Sequence, residues 1–121
     1  TNLVLKGAKL IGANSDLSGP MEDGIMPACG SLVSPIEMAT GTKAYFCGKP
    51  NPLMMRTGLK LLKCHSAEAV MIGDRMDTDI VAGIESNVDT VLVLSGEATM
   101  EDYNNSEVKS TYVLNSVKDL L

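Results

Sequence analysis

Residues 69–79 read Ala69-Val70-Met71-Ile72-Gly73-Asp74-Arg75-Met76-Asp77-Thr78-Asp79. An apolar run of strand length ends abruptly in Gly-Asp and gives way to a segment in which carboxylates recur every two or three residues. Two similar runs flank it, Ala44-Tyr45-Phe46-Cys47 upstream and Thr90-Val91-Leu92-Val93-Leu94 downstream. All three are near-continuously apolar instead of alternating, the pattern of strands covered on both faces in a parallel sheet. Helical signals lie between them. Pro50 and Pro52 suit a helix start, and Leu53, Met54, Leu59, Leu61 and Leu62 recur at helical spacing before Lys63-Cys64-His65. After Asp74, Thr78 is placed to cap a helix carrying Ile80, Val81 and Ile84 that stops at Ser86-Asn87. The order β-α-β-α-β predicts an α/β fold with right-handed parallel crossovers, whose ligands gather at the carboxyl ends of the strands. Residues 112–114 and 117–121 predict one more short strand and helix.

The first forty residues differ in texture. Lys9-Leu10-Ile11-Gly12-Ala13 resembles a strand, 17–27 is a turn-rich loop with Gly19, Pro20, Gly24 and Pro27, and 32–39 reads as a helix stopped by Gly41. A boundary near Thr42 therefore separates residues 1–42 from 43–121. Leu3-Val4-Leu5, ending at Gly7, reads as the tail of a helix whose beginning is missing.

Composition narrows the function classes. Of 121 residues, 45% are hydrophobic and 21% charged, enough to bury a core of about one domain. Aromatics are few, so that core rests on Leu, Val, Ile, Met and Ala. A net charge of -5 without a basic cluster gives no field to attract nucleic acid or an anionic membrane. No apolar run reaches the roughly 20 residues that span a bilayer. Cys29, Cys47 and Cys64 are odd in number and widely spaced, which argues against a disulfide framework or a structural zinc site and fits a cytoplasmic location.

Gly73-Asp74 directly follows a strand, so the Asp74 carboxylate is expected at the sheet edge where an open α/β protein binds its ligand. With Asp77 and Asp79 close behind, this segment has the oxygen ligands to hold a hard cation such as Mg²⁺. Asp77 and Asp79 equally suit the positive end of a helix. Gly48-Lys49-Pro50 follows its own strand in the same manner and brings an ammonium group toward that edge, where it neutralises phosphate charge or holds a carboxylate nucleophile. Alone, Lys49 would be an ordinary solvated loop residue; the pairing with Gly-Asp after the next strand favours a site. His65, beside a helix end, reads as a surface or capping residue.

Gly48-Lys49-Pro50 followed by Gly73-Asp74-Arg75-Met76-Asp77-Thr78-Asp79-Ile80 resembles the third and fourth motifs of haloacid dehalogenase (HAD) phosphatases, and the NagD-like branch with a class IIA cap is the nearest in pattern. Ala13-Asn14-Ser15-Asp16 resembles that branch's Thr-Asn-x-Asp segment, and Pro27-Ala28-Cys29-Gly30, residues 92–96, Tyr112-Val113 and Ser116-Val117 match as well. The resemblance implies a Rossmann-like HAD core, a parallel sheet flanked by helices, of which 43–121 is the C-terminal portion, preceded in 1–42 by the end of an α/β cap. It implies Mg²⁺-dependent hydrolysis of a small phosphorylated metabolite through an aspartyl-phosphate intermediate. Lys49 would contact phosphate and nucleophile, Asp74 would ligate Mg²⁺, Asp79 would support the metal site, and Asn14 and Asp16 would face the substrate.

This sequence departs from the family pattern in having Ala13 and Ser15 where threonine and proline are usual. It also contains no apolar strand running into Asp-x-Asp, the motif that supplies the nucleophile and the general acid and base. Asp77-Thr78-Asp79 mimics that motif but follows Arg75-Met76 instead of a strand tip. The 121 residues are therefore expected to be inactive alone. Two other readings stay open: a non-catalytic Mg²⁺-binding module of receiver type, or a truncated product without independent function, whose unpaired sheet edge and apolar helix faces favour a homo-oligomer.

Overall fold

The computed structural model describes residues Thr1–Leu121 and divides into two units, Thr1–Gly48 and Lys49–Leu121.

The first unit begins with a short helix, α1 (Asn2–Leu5), and a two-residue strand, β1 (Ile11–Gly12). β1 pairs in parallel with β4 (Tyr45–Phe46), Ile11 opposite Tyr45 and Gly12 opposite Phe46. Between them, the stretch expected to be a loop is an antiparallel hairpin of β2 (Ser18–Met21) and β3 (Gly24–Pro27). Its prolines concealed it: in a two-stranded ribbon alternate N–H groups face outward, so a residue without one, such as Pro20 opposite Ile25, loses no ladder bond. α2 (Cys29–Thr40) then ends at Gly41 and starts one turn earlier than its apolar periodicity indicates.

The second unit is a three-stranded parallel sheet in the order β5 (Val70–Gly73), β6 (Asp89–Val93), β7 (Tyr112–Leu114). Its third strand is thus the short C-terminal run. α3 (Pro52–Leu62) starts where the sequence indicates, with Pro52 in its first turn and the Asn51 side chain accepting from Leu53 N at 2.9 Å. The segment after β5 differs from expectation. Thr78 is not a cap but lies inside a wide π-helical turn, Met76–Ile80, that leads into α4 (Val81–Glu85). A further helix, α5 (Met100–Asn105), and a final 3₁₀ turn, Val117–Leu120, complete the unit.

Burial separates strands that looked alike in sequence. From Thr90 to Val93 every residue of β6 is buried, and Leu92 is fully enclosed with Ile80 and Ala98, against Met76, Leu94, Tyr103, Val108 and Val113. A fully buried Leu or Ile side chain contributes about 1.5–3 kcal/mol. Thr90 and Thr111 exchange reciprocal bonds, each amide donating to the other's hydroxyl at 3.0 Å, which ties β6 to the approach of β7. β5, at the sheet edge, is covered on one face only: Val70 and Ile72 are exposed while Met71 and Gly73 are half-buried. No helix is long and apolar enough to cross a membrane.

Candidate active site

The candidate residues Lys49, Asp74 and Asp79 gather at the carboxyl ends of β5 and β6. Where β5 stops, the chain turns so widely that both Asp79 N and Ile80 N donate to Arg75 O at 3.1 Å. This geometry swings the Asp79 carboxylate back over the strand end, where its Oδ2 accepts the amides of Asp74 and Arg75, each at 3.2 Å. Single-turn π segments of this kind recur at functional sites, because they re-aim one side chain without breaking the helix. The other Asp79 oxygen receives the Lys49 ammonium in an ion pair. Asp79 keeps only 5% of its side chain exposed, whereas Lys49 keeps 35%, so the lysine reaches solvent from an anchored base.

Asp74 is held from the other side. The loop leaving β6 folds back so that Glu97 N donates to Asp74 Oδ2 and Ala98 N to the Asp74 carbonyl, both at 2.9 Å. Asp74 Oδ1 is left for another partner. Two glycines make room for these carboxylates: a Cβ on Gly73 would fall on the carboxyl of Asp79, and one on Gly96 on that of Asp74.

The expected meeting of Lys49 with Asp74 is therefore mediated, since the amine binds Asp79, which in turn grips the Asp74 amide. Asp77 lies outside this constellation, exposed and gripped by Arg75, with Nε to Oδ1 at 3.1 Å and Nη2 to Oδ2 at 2.8 Å. Asn14 and Asp16 belong to the first unit, half-buried after β1; Asn14 Oδ1 accepts from Asp16 N at 3.3 Å and the Asp16 carbonyl accepts Gly30 N at 2.8 Å. His65 is exposed, its backbone amide bonded to Glu68. Sequence reasoning gave no role to Arg75, Glu97 or Gly96, although Arg75 and Gly96 lie within the stretches that carry the family resemblance.

No group of three or more His, Cys, Asp or Glu side chains is placed to hold a metal ion. Mg²⁺ is commonly held by one or two carboxylates, with waters and phosphate oxygens completing the shell. One half-buried carboxylate with an oxygen to spare fits that donor set.

A parallel sheet with helices is the architecture that the HAD resemblance implies, and residues 46–120 match the HAD-hydrolase-like family model; the chain belongs to that family. Among solved structures, NagD from Escherichia coli K-12 is 36% identical and superposes with a TM-score of 0.88, covering 95% of this chain and 45% of NagD, which identifies the NagD-like branch. Among curated proteins, dihydroxyacetone phosphatase of Corynebacterium glutamicum is 47% identical over 119 residues, 98% of this chain and 43% of that protein. Acid sugar phosphatase of Staphylococcus epidermidis is 41% identical over 120 residues, 99% of this chain and 45% of its own length. The chain thus spans just under half the length of these relatives.

Proposed function

We propose that these residues form part of the catalytic centre of a Mg²⁺-dependent phosphate monoester hydrolase acting on a small phosphorylated metabolite. The observation that carries this reading is the Lys49–Asp79 pair beside an Asp74 carboxylate with one oxygen free. Phosphoryl transfer asks a protein mainly for fixed positive charge and positioning. Lys49 supplies the charge, reaching a phosphate group while Asp79 keeps its ammonium in place. Asp74 would hold Mg²⁺, which supplies charge neutralisation at the transferring phosphoryl group when bound. Asp79, closed in by Lys49 and two amides, acts on the site through its neighbours. The relatives named dihydroxyacetone phosphatase and acid sugar phosphatase favour a phosphorylated sugar or triose as the substrate class.

On this reading residues 1–42 belong to a cap and 43–121 to the core, with Asn14 and Asp16 assigned to substrate binding. The reaction proceeds through an aspartyl-phosphate whose aspartate these 121 residues do not contain, because none of their strands ends in Asp-x-Asp. The test is hydrolysis of 4-nitrophenyl phosphate with Mg²⁺. The 121 residues by themselves are expected to show negligible turnover. A chain that also carries a strand ending in Asp-x-Asp is expected to turn over, and to lose at least about 100-fold in kcat on Lys49→Ala or Asp74→Ala. A robust rate from the 121 residues alone, abolished by Asp74→Ala, would overturn the need for an aspartate from elsewhere; indifference of the complete enzyme to both substitutions would overturn the site.

A further inference from the structure

Two loops meet at the strand ends, the turn leaving β5 and the loop leaving β6, and one side chain spans them. Arg75 is fixed at its backbone by Asp79, which accepts its amide at 3.2 Å. From there its guanidinium grips Asp77 with two prongs, at 3.1 and 2.8 Å, and reaches Glu97 Oε2 with Nε at 3.5 Å. Glu97 is the residue whose amide occupies Oδ2 of Asp74. We propose that Arg75 is a positioning residue: by straddling Asp77 and Glu97 it holds the loop leaving β6 against Asp74, and so fixes which oxygen of that carboxylate, Oδ1, stays open to a cation. The proposal rests on the reading of Asp74 as the metal ligand.

The chemistry of the fork explains why an arginine stands here. The single Nε–H points to Asp77, so Glu97 is held by charge alone; the two-pronged grip on Asp77 fixes where that charge sits, which the flexible point charge of a lysine does not. Stability is not the reason, because Asp77 and Glu97 keep 67% and 66% of their side chains exposed, and such pairs add little to folding. What the fork supplies is geometry. Groups that orient a metal ligand from outside commonly change metal affinity tenfold or more on removal, and exposure moves this case toward the lower end.

Two measurements on the full chain test it, with Mn²⁺ as a spectroscopic probe for the cation. First, Mn²⁺ affinity by electron paramagnetic resonance is expected to fall about threefold to tenfold in Arg75→Ala and by a similar factor in Glu97→Ala, while the double variant is no worse than the weaker single one within about twofold. Arg75→Lys is expected to stay close to Arg75→Ala. Second, exchange of the Glu97 amide is expected to quicken about tenfold or more in Arg75→Ala, while that of Leu94, bonded to Leu114 O, keeps its rate. Unchanged Mn²⁺ affinity, fully additive losses, or an unchanged Glu97 exchange rate each overturn the strap. Should the unaltered chain bind no Mn²⁺, Asp74 as metal ligand falls, and the Glu97 exchange rate alone decides whether Arg75 holds the loop. Should Arg75→Ala fail to fold, Glu97→Ala faces the same affinity criterion.

Discussion

Asp79 and Asp102 do the same local job in very different surroundings. Each closes a turn by accepting backbone amides: Asp79 from Asp74 and Arg75 after β5, Asp102 from Thr99 at the start of α5, with Thr99 N at 2.8 Å and the Thr99 hydroxyl at 2.6 Å. Asp102 is exposed and its bonds stay within its own capping box, so it contributes a helix start and nothing more. Asp79 is buried and takes a lysine from another element, so the same carboxylate becomes the hub through which Lys49 and the Asp74 backbone are held together. Burial and a distant partner turn a capping interaction into a junction between elements.

The sharpest way to break this comparison is to remove both carboxylates in turn. Asp79→Ala leaves the Lys49 ammonium and two amides without their acceptor, and is expected to destabilise the fold by about 2–4 kcal/mol, moderated by the solvent that Lys49 retains. Urea unfolding measures it; a loss no larger than that from altering the α5 cap would erase the distinction. Gly73→Ala approaches the same hub from the side, since its Cβ falls on the Asp79 carboxyl, and about 1–3 kcal/mol of overpacking is expected. A wild-type unfolding midpoint for that variant would mean that Asp79 has freedom to move.

On the exposed side, Thr99→Ala is expected to cost about 1 kcal/mol, read as faster exchange at the Asp102 amide with little change elsewhere. The smallest effect is one of pH. The side-chain hydrogen bond from Thr99, followed by its backbone amide, lowers the Asp102 carboxyl below its ordinary value of 3.8. A carboxyl lowered in the folded state contributes stability that is present above 3.8 and is lost as pH falls through the lowered folded value. The stability difference between the unaltered chain and Asp102→Asn is therefore expected at neutral pH and to close on acidification below 3.8. A difference that does not vary with pH would remove the charged cap from the account.

The amino-acid sequence by itself determined the α/β class, the start of α3 at Asn51-Pro52, the placing of Asp74 at a strand end and the family, because these depend on local chemistry: apolar runs, proline at a helix start, glycine before an acid. The Thr99 to Asp102 capping box is equally local, yet α5 was not read from it, because the six residues that follow carry little apolar periodicity. Tertiary structure alone decided the rest. Val70 and Ile72 resemble Val91 and Leu92 as residues, yet strand position leaves the first pair exposed and encloses the second. Lys49 binds Asp79 and not Asp74, because the wide turn at Met76–Ile80 carries a carboxylate from the start of a helix back to the strand end. A linear pattern records which groups are present and how far apart they lie along the chain; which of two neighbouring acids is buried, and which oxygen stays open, depends on atoms that only folding brings together.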